Sequence, residues 1–219
     1  MNSIKQNLVQ IKSTIPEHVT LVAVSKTKPV SDLIQAYEAG QRIFGENKIQ
    51  EMAEKWEEMP KDIQWHMIGH VQTNKVKFMA PFVSLIHGVD SLKLLQEINK
   101  QALKNNRIID CLLQIHIAEE ETKFGLDENE LNELISSSEF KELKNIRTLG
   151  LMGMATFTED QNQIKKEFQH LKSIFDSIKE KNALQEASTI SMGMSGDYQL
   201  AIECGSTMVR IGSSIFGGR

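Results

Sequence analysis

TLVAVSKTKPVSDLIQAYEAG, residues 20–40, passes from one periodicity to another within a single stretch, and that change decides the fold. Residues 20–24 are β-branched or apolar, the composition of a strand buried on both faces. From Pro29 and Ser31 onward the apolar positions are Leu33, Ile34 and Ala36, at helical spacing, and Gly40 stands where a helix ends. A strand followed at once by a helix is one βα unit.

The same alternation recurs on both sides. Ile4, Leu8 and Ile11 mark a short helix that Pro16 stops. Further strands are predicted at 42–45, 64–68, 83–87, 108–117, 146–151, 188–191 and 208–211. Helical patterns lie between them: a charged one through Trp56, one over 73–79, one with Leu92, Leu95, Ile98 and Ala102 on one face, one over 127–135, one with Ile164, Phe168, Leu171 and Ile174, and one over 197–204. Asp127 with Glu130 has the form of a capping box. Alternating strands and helices imply parallel pairing and right-handed crossovers. In 219 residues, this predicts an α/β fold with a closed (β/α)8 barrel of the TIM type, an extra N-terminal helix and one domain over 1–219; an open sheet is the alternative.

Lys and Arg total 25 against 29 Asp and Glu, so a formal charge of −4 gives no reason to expect nucleic acid or an anionic membrane surface as partner. The first residues are amphipathic rather than a signal-peptide core, and no apolar run has the length that spans a bilayer, so the expected location is the cytoplasm. Cys111 in a strand and Cys204 at a helix end are expected to be reduced and buried. A closed barrel with a free mouth is expected to be a monomer.

In such barrels functional residues stand at the carboxyl ends of the strands. AVSKTKP, residues 23–29, puts Lys26 there directly after an apolar run, where partial desolvation makes an amine nucleophilic and a Schiff-base candidate; the alternative is an ordinary solvated loop lysine. SMGMSGD (191–197) and RIGSSIFGG (210–218) place glycine and serine directly after the last two strands, where backbone N–H groups can face an anion. Ser195, Gly212 and Ser213 are the expected phosphate contacts, with turn chemistry as the competing reading. Closure sets the first strand beside the eighth, so the amine and the cradle become neighbours, and an aldehyde bearing a phosphate, pyridoxal 5′-phosphate, fits between them. Arg210 can face a pyridine nitrogen, clamp the phosphate or form a structural ion pair, three roles that spacing alone leaves open.

With FGEN (44–47), WHMIGHVQTNK (65–75), GLM (150–152) and GSTMVRIGSSIFG (205–217), these motifs resemble the pyridoxal phosphate homeostasis protein family from the first strand to the carboxyl terminus. Members are single-barrel relatives of the alanine racemase N-terminal domain, so the resemblance implies a fold type III pyridoxal phosphate barrel. It implies a Schiff base at Lys26, phosphate contacts around Ser195, Gly212 and Ser213, Arg210 at the ring nitrogen, and Asn47 bordering the cofactor. One departure is ETKFG, residues 121–125, where relatives often carry serine before the lysine. The implied function is holding the cofactor within vitamin B6 homeostasis, without evident turnover chemistry and with apo-enzymes as candidate recipients.

Arginine keeps its proton, so a pyridine nitrogen facing it stays unprotonated and the ring is a weaker electron sink. Racemisation also needs a second base. The two tyrosines are Tyr37, on the outside of a helix, and Tyr198, beyond the phosphate loop and read as structural. No catalytic residue is therefore assigned. The alternatives are a monomeric racemase-like enzyme and a barrel acting on sugar phosphates through a lysine imine. His66 and His70 lack the glutamate that a zincin needs, and no metal site is assigned; His66 is read as packed within its strand. Met192, Met194 and Met208 are read as core, and Lys75 and Lys123 are left out of the site.

Overall fold

The computed structural model describes residues 3–120, 124–181 and 183–218. Eight strands, β1 (Thr20–Val24), β2 (Ile43–Glu46), β3 (Gln64–Met67), β4 (Leu85–Val89), β5 (Ile109–Ile115), β6 (Ile146–Gly153), β7 (Thr189–Met194) and β8 (Met208–Ile211), form a closed barrel in chain order. Every pairing is parallel, and β1 meets β8 with Val22 opposite Arg210 and Ala23 opposite Ile211. The expected closure is therefore present, rather than an open sheet. α1 (Ile4–Ser13) precedes the barrel; α2 (Val30–Glu38), α3 (Ile49–Glu58), α4 (Val76–Met79), α5 (Leu92–Lys104), α6 (Glu128–Ser136), α7 (Ser138–Lys141), α8 (Gln161–Glu180), α9 (Tyr198–Glu203) and α10 (Ser213–Phe216) follow the strands.

Successive side chains on a strand point to opposite faces, which divides the core in two. Ala23, Phe44, Trp65, Ile86, Cys111, Leu151, Ile190 and Val209 pack outward with the helices in the larger cluster. Val22, Leu85, Leu112, Met152 and Met208 form a separate cluster, one residue from each of five strands, an arrangement that only the barrel interior allows. Full burial contributes about 1.5–3 kcal/mol for each such side chain. α1 caps its own start through Ser3 and Gln6, and Asn7 Nδ2 donates to the Ile215 carbonyl at 3.0 Å, tying this helix to α10.

The capping box at α6 is formed: Asp127 accepts from the Glu130 N–H at 2.8 Å and Glu130 accepts from the Asp127 N–H at 2.9 Å. The segment expected as a helix over 73–79 is a 3-10 turn at Thr73–Lys75 followed by one turn of α4. β4 starts at Leu85 rather than at residue 83, because the Val83 N–H closes α4 on the Met79 carbonyl at 2.8 Å. β6 and β7 run past residues 151 and 191 to Gly153 and Met194. α7 was not expected; the Ser137 hydroxyl caps it by accepting from the Phe140 N–H at 3.2 Å.

Candidate functional site

The carboxyl ends of the strands open onto a cavity of about 570 Å³. Lys26, Asn47, Ser195, Arg210, Gly212 and Ser213, all six residues singled out in the sequence, line it. Lys26 lies just past Ala23 and Ser213 just past Ile211, two residues that face each other in the β1–β8 ladder, so the seam of the barrel brings both turns to one place. The half-buried Lys26 is presented by a loop fastened from behind. Lys55 Nζ of α3, itself buried, donates to the Ser25 carbonyl at 2.8 Å and to Glu46 Oε1 and Glu51 Oε1 at 2.7 Å each. The Ser25 hydroxyl donates to Glu46 Oε1 at 2.6 Å, and the Thr27 N–H donates to Glu51 Oε1 at 2.6 Å. Both neighbours of Lys26 are thereby held, and Thr27 keeps a φ of 63°, which a β-branched residue rarely adopts. Burial raises the Glu46 pKa, opposed by Lys55 and the Ser25 bond.

Across the seam on the same rim the Gly212 N–H donates to Ser195 Oγ at 3.2 Å, joining the turns after β7 and β8. A Cβ at Gly212 would lie 3.0 Å from the Val24 carbonyl oxygen, so a side chain there would push the β8 turn and β1 apart by a few tenths of an ångström. Ser213 opens α10, where the first N–H groups of a helix lack internal partners. Asp197 shapes the turn by accepting from the Met194 N–H at 2.5 Å, and burial raises its pKa. Arg210 is buried and donates through Nη1 to Ser191 O at 2.8 Å and Ser191 Oγ at 2.6 Å, and through Nη2 to the Gly153 carbonyl at 3.1 Å. Burial pulls its pKa down to about 10, opposed by Asp197, and it remains a cation at neutral pH.

The lining thus sets a primary amine, a fixed cationic donor and a serine-glycine turn around one space. A phosphate needs the turn, an aldehyde needs the amine, and an unprotonated aromatic nitrogen needs a donor that keeps its proton. The donor set and the bare Cα of Gly212 fit pyridoxal phosphate.

Other residues weighed in the sequence lie elsewhere. The Tyr198 hydroxyl shares a 2.9 Å hydrogen bond with the Thr14 hydroxyl beyond α1, and the Tyr37 hydroxyl donates to Asp62 at 2.9 Å; neither tyrosine lines the cavity. His66 is buried on β3 as expected, yet its Nδ1 lies 3.0 Å from His87 Nε2, a contact that no spacing signals. His70 does line the cavity, stacked on Phe124 with ring centroids 4.4 Å apart and 3.5 Å from Asp90. Among the described residues no group of three or more His, Cys, Asp or Glu could hold a metal. Cys111 and Cys204 are free and buried, and burial raises both thiol pKa values. Met192 and Met208 are core, whereas Met194 lines the cavity. Lys75 does not line it, and Lys123, with the start of ETKFG, falls outside the described residues.

Gln114, Met154 and Thr156 also line the cavity and were missed. Gln114 Nε2 donates to the Phe124 carbonyl at 2.8 Å, and the Thr156 N–H and hydroxyl each donate to Glu167 of α8 at 2.7 Å. The strand-end rule would have found Met154 and Thr156 had β6 been read to its full length.

Residues 1–219 match the model of the alanine racemase N-terminal domain. The chain is similar to the pyridoxal phosphate homeostasis protein of Pasteurella multocida, 38% identical over 230 residues that cover 99% of this chain and 98% of that one. It is also similar to the protein of the same name from Escherichia coli K12, 36% identical over 236 residues, with coverage of 100% and 98%. Among solved structures, PipY of Synechococcus elongatus superposes with a TM-score of 0.89 with pyridoxal phosphate bound, at 31% identity, covering 98% of this chain and 100% of that one. Its form without the cofactor gives a TM-score of 0.92 at 30% identity with the same coverage. Alanine racemase of Clostridium difficile shares the fold, with a TM-score of 0.82 at 16% identity over 99% of this chain and 60% of that one.

Proposed function

Because the chain belongs to the pyridoxal phosphate homeostasis proteins within the alanine racemase N-terminal domain family, we propose that it binds pyridoxal 5′-phosphate in the barrel mouth and holds it reversibly for vitamin B6 homeostasis. The observation that carries this is the convergence of Lys26, Arg210 and the Ser195–Gly212–Ser213 turns on one cavity. When bound, the cofactor supplies an aldehyde that condenses with a primary amine and an aromatic ring that withdraws electrons. Lys26 provides the covalent anchor, held in place by the bonds to Ser25 and Thr27 on either side of it. Ser195, Gly212 and Ser213 bind the phosphate, Asn47 borders the ring, and Arg210 donates to its nitrogen while keeping its own proton. Three hydrogen bonds to a charged phosphate contribute roughly 5–9 kcal/mol before ordering costs, in the range of a micromolar complex, which is tight enough to load and weak enough to release.

The same proposal takes residues 1–219 as one domain, a monomer, with apo-enzymes as recipients of the cofactor. No helix among the described residues is long and apolar enough to cross a membrane, and the unpaired cysteines support a cytoplasmic location. The holder reading is supported by the two tyrosines, the side chains weighed as a second base, both lying off the cavity lining.

The test is spectroscopic. Protein loaded with pyridoxal phosphate is expected to be yellow, and borohydride to bleach the band and fix the cofactor at Lys26, while Lys26→Ala gives no such adduct. Deuterium exchange at the α-carbon of alanine is expected to be no faster than with free cofactor. A protein that takes up no cofactor removes the proposal, and rapid exchange abolished by Lys26→Ala replaces the holder with an enzyme.

A further inference from the structure

Four polar side chains of the barrel interior form a row that starts at Arg210. A guanidinium only donates, so its Nη1 gives both of its hydrogens to Ser191, one to the carbonyl at 2.8 Å and one to Oγ at 2.6 Å. Ser191 Oγ lies 3.0 Å from His87 Nδ1, and His87 Nε2 lies 3.0 Å from His66 Nδ1. All four residues are buried. Proton order follows from what each group can do. Ser191 Oγ already accepts from Arg210, and its one remaining side-chain neighbour in the row is His87; if His87 donated to it as well, the hydroxyl proton would be buried without an acceptor. The hydroxyl therefore donates to His87 Nδ1. His87 then carries its proton on Nε2 and gives it to His66 Nδ1.

A buried arginine is usually fixed by a carboxylate that neutralises it. Here the fixing groups are two carbonyls, a hydroxyl and, behind it, two uncharged imidazoles. The geometry is set while the cation keeps its charge, and three of the five guanidinium N–H groups are committed to protein oxygens. The Nε hydrogen and one on Nη2 are left over, and Arg210 is one of the residues that line the cavity.

We infer that Ser191 and His87, backed by His66, are positioning residues that hold Arg210 through a one-directional hydrogen-bonded row, so that its uncommitted N–H groups face an uncharged acceptor in the cavity. This rests on the proposed function, in which that acceptor is the ring nitrogen of pyridoxal phosphate.

Two measurements test it. The first is histidine ¹⁵N NMR on the cofactor-free protein: His87 and His66 are both expected to be neutral with the proton on Nε2, and His87 protonated on Nδ1 would overturn the proton order whatever the cofactor does. The second compares affinity for pyridoxal phosphate and for its 1-deaza analogue, which has C–H in place of the ring nitrogen. Wild type is expected to prefer the cofactor, and Ser191→Ala to lose about tenfold in affinity for it, the scale of a hydrogen bond to a charged group, with little change for the analogue. Equal losses for both ligands, or none for either, would reduce the row to packing and overturn the inference with the proposed function intact. A wild type that binds neither ligand would bring down both. Should Ser191→Ala not fold, the NMR measurement on wild type still decides.

Discussion

Lys55 holds three oxygens at once, the Ser25 carbonyl, Glu46 Oε1 and Glu51 Oε1, from a position nearly closed to water. Glu46 Oε2 is buried with no hydrogen-bond partner among the described residues, so the cluster has no reserve: remove the cation and a buried carboxyl loses its main counter-charge. Breaking one side of a buried pair costs about 3–5 kcal/mol, and a loss of that size is expected for Lys55→Met in urea unfolding at neutral pH. Glu46→Gln added to it should restore about 1 kcal/mol or more, because the stranded charge is gone. A double variant no more stable than the single one would mean that Lys55 acts through the Ser25 carbonyl and not through Glu46. These residues also mark the limit of sequence reading at this scale. Lys26 was legible because a lysine ending an apolar strand has no packing reason to be there, whereas Glu51 and Lys55 were not singled out, since charges four residues apart on a helix commonly form an exposed pair. That α3 turns this pair inward under the Lys26 loop depends on how helix and strand dock. The same holds for His66, His87 and Ser191, whose contacts exist only because β3, β4 and β7 share one interior.

Among the elements, the alternation of apolar strand-like runs with helical patterns was enough to place eight strands, and the chain length favoured a closed barrel while an open sheet stayed the alternative. The ends were harder to read. β7 contains Gly193, at φ 96°, and β6 ends on Gly153, and glycine breaks the β-branched signature by which a strand is recognised; Gly150, at φ 148°, stood inside the stretch already read as strand. Gly150 is nevertheless a requirement of the sheet: a Cβ there would stand 1.9 Å from the Thr189 carbonyl oxygen, its neighbour in the β6–β7 ladder. Backbone cannot step aside as a flexible side chain can. Gly150→Ala combines that overlap with a positive φ and is expected to cost about 3 kcal/mol or more, read as a lower urea midpoint. A loss below about 1 kcal/mol would show that β6 and β7 can part locally without penalty to the barrel.

The molecule as a whole stacks two layers inside its barrel, an apolar one of Val22, Leu85, Leu112, Met152 and Met208 and a polar one that carries the row from His66 to Arg210. The polar layer gives stability a pH dependence. Burial pulls the His66 pKa down to about 3 and holds His87 well below its ordinary value, with the charge of Arg210, and of His66 once it is protonated, adding to the effect on His87. In the unfolded chain both imidazoles titrate near 6.5, so below that pH the unfolded state binds protons that the folded state refuses. Stability is therefore complete above pH 6.5 and falls as the pH drops, for His66 by about 1.4 kcal/mol per pH unit down to its folded value near 3. Glu46 and Asp197, whose folded pKa values are raised by burial, work in the opposite sense above the ordinary carboxyl range and flatten the total. A difference measurement cancels them. Urea unfolding of wild type and His66→Gln between pH 6.5 and 4.5 should give curves that converge with falling pH, the wild type losing about 1.4 kcal/mol more per unit than the variant. Parallel curves would mean that His66 already takes up a proton inside the barrel, and that charge would end the row of neutral groups on which Arg210 is held.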